Sequence, residues 1–189
     1  MRDSIIIEVS GASVQVSTDR RQKRKDIMSK KEKAFQDYYP DDYSHCYGCG
    51  RLNKKGLQIK SYWDGEESVC RFQPSPYHLA LPGYVYGGLI ASLIDCHATG
   101  TASAAKYRAE NRKIGTEPAL RFVTASLHVD YLAPTPIDAT LELRGRVKSI
   151  NDRKVIVSVT LSADGRHCAT GEVVTVLMPE DLRPKKKPK

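Results

Sequence analysis

Apolar and polar residues alternate along most of the second half of the chain. This period of two is typical of strands that bury one face of a sheet and expose the other. The four strands that it predicts are residues 120–132, 139–150, 154–162 and 166–178. We expect the buried face of the first strand to carry Val123, Ala125, Leu127, Val129 and Tyr131.

A different pattern occupies the middle of the chain. From Gly87 onward, apolar residues recur at spacings of three and four, which predicts a helix. Small residues fill its other positions, so we expect it to be covered on most sides. Two shorter strands, 57–62 and 68–72, precede the helix and flank an Asp-Gly pair typical of a hairpin turn. The order of elements predicts an α+β fold, with an antiparallel sheet wrapped around one long central helix.

Charge separates this body from the two ends of the chain. The net charge is +8, but residues 34–178 hold sixteen basic and fifteen acidic residues, so the basicity lies at the ends. We expect a partly disordered N-terminal extension over 1–44, one domain over 45–178 and a basic tail over 179–189. The nearly neutral body argues against a specific nucleic-acid partner, and the tail would add only weak, salt-sensitive contacts.

The apolar segments are too short to span a membrane. The longest begins at Leu89 and is interrupted by Asp95 and His97. The first residues lack the pattern of a signal peptide, because Asp3 and Glu8 flank a short apolar block. We therefore expect a cytoplasmic protein whose five cysteines are reduced.

Cys46 and Cys49 form a Cys-x-x-Cys pair that raises the question of zinc. A structural zinc site needs four ligands, commonly from two such pairs, and the sequence contains no second pair. His78 would have to be recruited. We therefore favour a turn that packs beside the functional site, and we expect no metal ligand set and no cofactor.

Four segments resemble the hotdog-fold acyl-CoA thioesterases, in particular the phenylacetate-pathway (PaaI-like) branch. They are HCYGCGRLNKKGLQIK, YGGLIASLIDCHATG, VTASLHVDYLAPTP and the final valine-rich hairpin with Gly171. The resemblance covers residues 45–178 and implies hydrolysis of an acyl-CoA thioester to a carboxylic acid and free CoA. It also implies a homodimer or a dimer of dimers.

The resemblance assigns roles to individual residues. Asp95 matches the general base or nucleophile, Gly88 the glycine whose N–H polarises the thioester carbonyl, and Thr124 a hydroxyl that positions water or the carboxylate. The residues matched to substrate binding are Tyr86, Gly87, Asn53, Arg153 and Lys154. Two features depart from the family pattern: Tyr86 stands where His is more usual, and the connection 106–118 is long.

The residue types themselves suit this chemistry. A helix N-terminus offers unpaired N–H groups to a developing oxyanion, and glycine permits close approach of the substrate. A partly buried carboxylate with a raised pKa serves as base or nucleophile. Gly88 and Asp95 are two helical turns apart, about 10 Å, so one chain does not place both at one carbonyl. Two antiparallel helices related by a two-fold axis would do so.

The same residues also admit simpler interpretations. Asp95 could be an exposed helix acid or the partner of His97 or of an arginine. Gly87-Gly88 could be a turn before a helix, and Thr124 could be an ordinary strand residue. Two rival functions are a hotdog protein that binds acyl-CoA without hydrolysis and a hydratase. A hydratase would need an Asp/His pair, and His97 is too close in sequence to Asp95 to face the same way.

Overall fold

A computed structural model describes residues 33–182 as six strands and one long helix. The strands are β1 Ser61–Asp64, β2 Glu67–Phe72, β3 Phe122–Tyr131, β4 Leu141–Ile150, β5 Lys154–Ala163 and β6 Arg166–Leu177. The helix, α1, is Gly87–Ala109, and short 3-10 turns occupy Phe35–Tyr38, Asp41–Tyr43 and Glu180–Leu182. The predictions for 1–32 and 183–189 lie outside the described residues.

The six strands form one sheet in the order β1-β2-β4-β5-β6-β3, and each neighbouring pair is antiparallel. The helix packs against β3, β4, β5 and β6, and sixteen of its twenty-three residues are buried. This confirms the predicted α+β hotdog architecture and the prediction that the sheet covers most of the helix. Within residues 33–182, no helix combines the length and the hydropathy needed to cross a bilayer.

The last two strands follow the predicted alternation. The side chains of Val155, Val157, Val159 and Leu161 on β5 are at most 2% exposed, and Ala169 and Val173 on β6 are fully buried. Gly171 faces the helix: a Cβ there would lie 2.6 Å from Ile94 Cγ2. Glycine therefore sets the short distance between β6 and α1.

The first strand begins later than predicted. Residues 57–60 are not part of β1, because the N–H groups of Leu57 and Ile59 donate to the carbonyls of Tyr47 and Gly48 instead of pairing with β2. Between them, Gln58 adopts a φ of 55°, which interrupts an extended strand. The segment after Cys49 is thus held against the Cys-x-x-Cys turn.

At the start of β3, the prediction assigns the wrong residues to the buried face. A β-bulge between Thr124 and Ser126 inserts one extra residue opposite β6. Phe122 is therefore fully buried and Thr124 contacts the helix, whereas Ala125 is exposed. After the bulge, Val129 packs on the core as predicted. Leu127 and Tyr131 are 37% and 56% exposed, because β3 is an edge strand.

The segment before the sheet is also packed in the described structure. Phe35 and Tyr39 are buried, and Gln36 bonds Ser61 through both its amide atoms. The Phe35 ring also lies 5.1 Å, centroid to centroid, from Trp63. Residues 34–39 thus contribute to the core, while the domain limits 1–44, 45–178 and 179–189 stay a prediction.

Candidate active site

Asp95 lies two turns after the start of α1 and is partly buried. The Thr124 hydroxyl, brought to it by the bulge in β3, donates to Oδ1. Cys96 Sγ lies 3.9 Å from Oδ2. Burial raises the pKa of the Asp95 carboxyl, and the hydrogen bond from Thr124 opposes that shift. The result is a carboxylate that is held in place and has enhanced basicity.

The N-terminus of α1 is formed by the Gly-Gly pair. Tyr86 is the N-cap in an extended conformation (φ −74°, ψ 143°), and its side chain makes no capping hydrogen bond. Gly87 and Gly88 are the first two helical residues, whose N–H groups have no acceptor within the helix. Gly88 is exposed. Backbone donors with the positive end of the helix dipole behind them suit a developing oxyanion.

Two tyrosines surround this helix start. The Tyr86 ring covers Gly88 so closely that a Cβ at position 88 would overlap it. The Tyr131 hydroxyl donates to the Gly87 carbonyl at 2.9 Å. Sequence reasoning placed Tyr131 only on a strand face and missed this contact. Regular alternation places Tyr131 and Thr124 on opposite faces of the strand, so only the β-bulge between Thr124 and Ser126 lets both contact α1.

The structure brings Asp95 and Thr124 together but not Asp95 and Gly88. The seven-residue separation on one straight helix keeps the two about 10 Å apart along its axis. Two clefts flank the C-terminal half of α1, and neither is lined by Asp95 or Gly88. Within one chain, the carboxylate and the helix N-terminus are therefore separate.

The other predicted substrate-binding residues lie in two turns of the chain. Asn53 stabilises the turn before residue 57, accepting from Lys55 N–H and donating to the His45 carbonyl. Arg153 and Lys154 are exposed at the β4–β5 turn. Asp152 in that turn lies 3.5 Å from Lys106 Nζ, near the C-terminal end of α1. Lys106 is eighteen residues beyond Gly88, about 27 Å along the helix.

His97 does not pair with Asp95. It is fully buried, with Nδ1 2.9 Å from Ser61 Oγ and Nε2 3.1 Å from Ser68 Oγ. Ser68 Oγ also lies 2.6 Å from Thr101 Oγ1. Burial lowers the pKa of His97 to about 4, so the ring is neutral at pH 7. His97 is thus a structural residue that ties α1 to β1 and β2.

Three cysteines meet beside Asp95. Cys46 and Cys49 come from the turn before β1, and Cys96 comes from α1, with the three Sγ atoms within 4.8 Å of one another. Hydrogen bonds from the thiols of Cys49 and Cys96 lower the pKa of Cys46, and the bond to Cys46 raises that of Cys49 to about 11. The predicted turn is present. His78, whose Nδ1 accepts from Ser75 N–H, is not the third member.

Sequence reasoning missed Cys96 as the third thiol. In the sequence, Cys96 is an isolated cysteine next to Asp95 and fifty residues from Cys46. A spacing of fifty residues does not predict this contact, because only the folded chain topology brings α1 against the turn. These three residues are the described side chains best placed to hold a metal ion.

A protein-family model described as "Thioesterase superfamily" matches residues 82–170. The chain is 36% identical over 90 residues to an acyl-coenzyme A thioesterase, THEM4, of Xenopus laevis. That match covers 48% of this chain and 35% of the Xenopus protein, so most of the relative has no counterpart in the alignment.

Two solved structures extend the comparison. A thioesterase superfamily protein of Shewanella loihica PV-4 is 51% identical, with a TM-score of 0.57, and the similarity covers 75% of this chain and all of that chain. The E. coli PaaI protein of the phenylacetic acid degradation operon shares the fold at 15% identity. Its TM-score is 0.53, over 65% of this chain and 81% of that chain. The Shewanella match, at 51% identity and over the whole of that chain, shows that this chain belongs to the thioesterase superfamily.

Proposed function

We propose that this protein is an acyl-CoA thioesterase, which converts an acyl-CoA and water into a carboxylic acid and free CoA. The observation that carries the proposal is the Asp95 carboxylate, partly buried in α1 with the Thr124 hydroxyl bonded to it. A helix that begins with two glycines supplies the complementary oxyanion donor. The Xenopus and Shewanella relatives support the reaction class.

Asp95 supplies the base or the nucleophile. As a base, it accepts a proton from water while the water oxygen bonds to the thioester carbon; as a nucleophile, it forms a mixed anhydride that water then cleaves. On either route the C–S bond breaks, and the CoA thiolate takes a proton. Thr124 fixes the carboxylate so that one oxygen, Oδ2, is left to face the substrate.

Gly88 N–H stabilises the oxyanion, with Gly87 beside it at the helix start. A preorganised donor of this kind contributes roughly 3 kcal/mol to transition-state stabilisation. The Tyr86 ring lies against Gly88 and the Tyr131 ring against Gly87, while Gly88 itself stays exposed. Tyr86 thus takes over the position of the more usual His by packing, without taking over any acid–base role.

The complete site requires two chains. Within residues 33–182, β3 pairs with β6 on one side and has no strand on the other, although it is ten residues long. Leu127, Tyr131 and Leu132 are exposed on or just after it, and such an edge favours pairing with a second copy. An antiparallel arrangement of two α1 helices would place Gly88 of one chain near Asp95 of the other.

Arg153 and Lys154 are proposed to contact the CoA phosphates. Both are exposed, and both backbone N–H groups are held by Asn151 Oδ1, which leaves their cationic side chains directed by a rigid turn. Because both residues lie far from Gly88 of the same chain, we propose that they contact CoA bound at a site that includes the partner chain. Asn53 is proposed to shape the turn before residue 57. The reaction uses no metal or cofactor, and the cytoplasm is the expected compartment.

Turnover of a panel of acyl-CoA esters tests the proposal. Release of free thiol is measured with a thiol-reactive dye, while binding of each ester is followed by calorimetry. Thiol release that saturates with at least one ester is the expected result. Binding of esters without thiol release from any of them would instead support a non-catalytic acyl-CoA-binding protein.

The hydratase alternative is disfavoured by His97. Both of its ring nitrogens are engaged by serines, and it is fully buried, so it is not available to act with Asp95 on water. An enoyl-CoA in the same panel separates this function from hydrolysis. Loss of the double bond without thiol release would favour the hydratase.

A mixing experiment tests the shared site. A Gly88→Val chain and an Asp95→Asn chain are each inactive in this scheme, but a mixed dimer contains one site with both native residues. After exchange of subunits, about a quarter of the wild-type activity should return, since half of the dimers are mixed and each has one intact site. No recovery despite demonstrated exchange would contradict the shared site.

A further inference from the structure

The thiol cluster, defined as Cys46, Cys49 and Cys96, has a geometry that the proposed hydrolysis does not use. Its members come from two separate elements, the turn before β1 and the middle of α1. Cys49 and Cys96 are buried, whereas Cys46 is partly accessible. Three sulfurs thus converge, and one of them is partly accessible from outside.

The sulfur separations match those of a metal–thiolate site. Cys46 Sγ and Cys96 Sγ are 3.8 Å apart, and all three sulfurs lie within 4.8 Å. Tetrahedral coordination with metal–sulfur bonds of about 2.3 Å places neighbouring sulfurs about 3.8 Å apart. A disulfide would need two of the sulfurs to close to about 2.05 Å and would leave the third unused.

A cationic side chain lies beside the cluster. Arg121 Nη2 lies 4.0 Å from Cys49 Sγ. Three thiolates and a divalent cation carry one net negative charge, which the Arg121 guanidinium offsets. Arg121 is itself fixed by a bond from Nη1 to the Tyr39 hydroxyl.

Gly48 allows the turn and the helix to meet. A Cβ at position 48 would overlap Cys96 Sγ, so any larger residue would push Cys96 away from the turn that carries Cys46 and Cys49. The next glycine, Gly50, donates its N–H to the Cys46 carbonyl and closes the turn. The segment Cys46-Tyr47-Gly48-Cys49-Gly50 is thus a tight loop that presents two sulfurs toward a third.

We propose that the thiol cluster binds one thiophilic divalent cation of the Zn²⁺ class through three cysteine sulfurs. Water or another small donor occupies the fourth position, as in other sites with three protein ligands. The ion links the turn to α1 directly beside Asp95. Metal uptake does not require catalysis, so it stands or falls independently of the thioesterase function.

Cobalt titration of the full chain tests the proposal. Protein that has been stripped with a chelator and fully reduced, with all five thiols confirmed by titration, is given Co²⁺ without oxygen. The expected result is a sulfur-to-cobalt charge-transfer band that saturates at one ion per chain and disappears when Zn²⁺ is added. Metal analysis of protein expressed in zinc-supplemented medium gives a second reading.

Cysteine variants identify the ligands. Cys46→Ser, at the partly accessible position, should abolish the charge-transfer band, and Cys49→Ser should do the same. Cys168→Ala is the matched control, because Cys168 is buried outside the cluster and its loss should leave the band and the stoichiometry unchanged. Circular dichroism of each variant verifies the fold. Failure of the reduced wild-type chain to bind either ion, or an undiminished band in folded Cys46→Ser, would overturn the proposal.

Discussion

Asp95 and His97 are two residues apart on α1 and experience opposite surroundings. A step of two residues turns a helix by about 200°, so the two side chains leave it on nearly opposite faces. Asp95 faces β3, with a single hydroxyl on one oxygen, whereas His97 faces β1 and β2 and has a serine on each nitrogen. Burial raises the pKa of the first and lowers that of the second, so each is shifted toward its neutral form.

The contrast shows how to separate a reactive group from a structural one. His97 has every polar atom of its ring satisfied within the protein and no access to solvent. Asp95 retains an oxygen whose only contact in the described structure is a weak one to Cys96 Sγ at 3.9 Å. A partly buried group that keeps an oxygen without a strong hydrogen bond from the protein can still bond to a substrate.

The largest expected effect comes from Asp95→Asn. Hydrolysis should fall by about 10²- to 10⁴-fold, because the amide neither accepts a proton nor attacks a carbonyl, while the fold and the dimer persist. The rate of thiol release and the sedimentation profile are the two measurements. Asp164→Asn, the same exchange in the exposed β5–β6 turn, is the control and should keep full activity. Full activity in Asp95→Asn would refute the mechanism.

His97 should produce an effect on stability and not on chemistry. Its pKa is about 4 in the folded chain and 6.5 unfolded, so the unfolded state binds more protons between these values. Its contribution is complete above pH 6.5 and declines as the pH falls to 4, by about 3 kcal/mol in total.

Urea unfolding of the wild type and of His97→Gln across that range measures this contribution. The free energy of unfolding of the wild type should fall more steeply with acidification than that of the variant. The exposed His128→Gln should behave as the wild type. Equal slopes for the wild type and His97→Gln would show that His97 titrates normally in the folded protein.

Thr124→Val should reduce hydrolysis by about tenfold or somewhat more, as expected for the loss of a hydrogen bond to a charged group. Without the Thr124 hydroxyl, the pKa of Asp95 should rise further. Since a base works only when ionised, the acidic limb of the kcat/KM profile should then move to higher pH. Thr170→Val on β6 controls for the exchange itself. An unshifted limb would mean that Thr124 acts on something other than Asp95.

The smallest effect is expected for Tyr86→His. The residue is 42% exposed, and its backbone conformation at the helix cap is open to either side chain. The free energy of unfolding should change by no more than about 0.5 kcal/mol, as measured by urea denaturation. Tyr86→Phe should match the wild type in activity, since the ring and not the hydroxyl covers Gly88. A large loss in Tyr86→Phe would assign a chemical role to the hydroxyl.

Local pattern was sufficient for some elements and insufficient for others. The alternation along β5 and the three- and four-residue spacing along α1 are regular, and Val155, Val157 and Val173 are buried as predicted. The start of β1 depends on Gln58 adopting a positive φ, and the face of Phe122 depends on a bulge. Neither feature changes the average periodicity of its segment, so neither could be found from spacing.

The candidate site divides in the same way. The Gly-Gly helix start and Asp95 share one helix, so their spacing was readable from the sequence. The contact of Asp95 with Thr124 and the meeting of Cys96 with Cys46 join separate segments of the chain. Such pairings depend on strand order and on helix rotation, which a single sequence specifies only through the completed fold.

The bulge in β3 makes Ala125 important for its presence and not for its identity. Its small exposed side chain tolerates replacement, and few substitutions there should disturb the protein. Removing the residue altogether would realign the strand, since it would turn the start of β3 over and aim Phe122 and Thr124 at the outer face. A genetic deletion of this one codon would therefore be more damaging than almost any missense change at it, and a comparison of related genes should show varied residues but few gaps at this point.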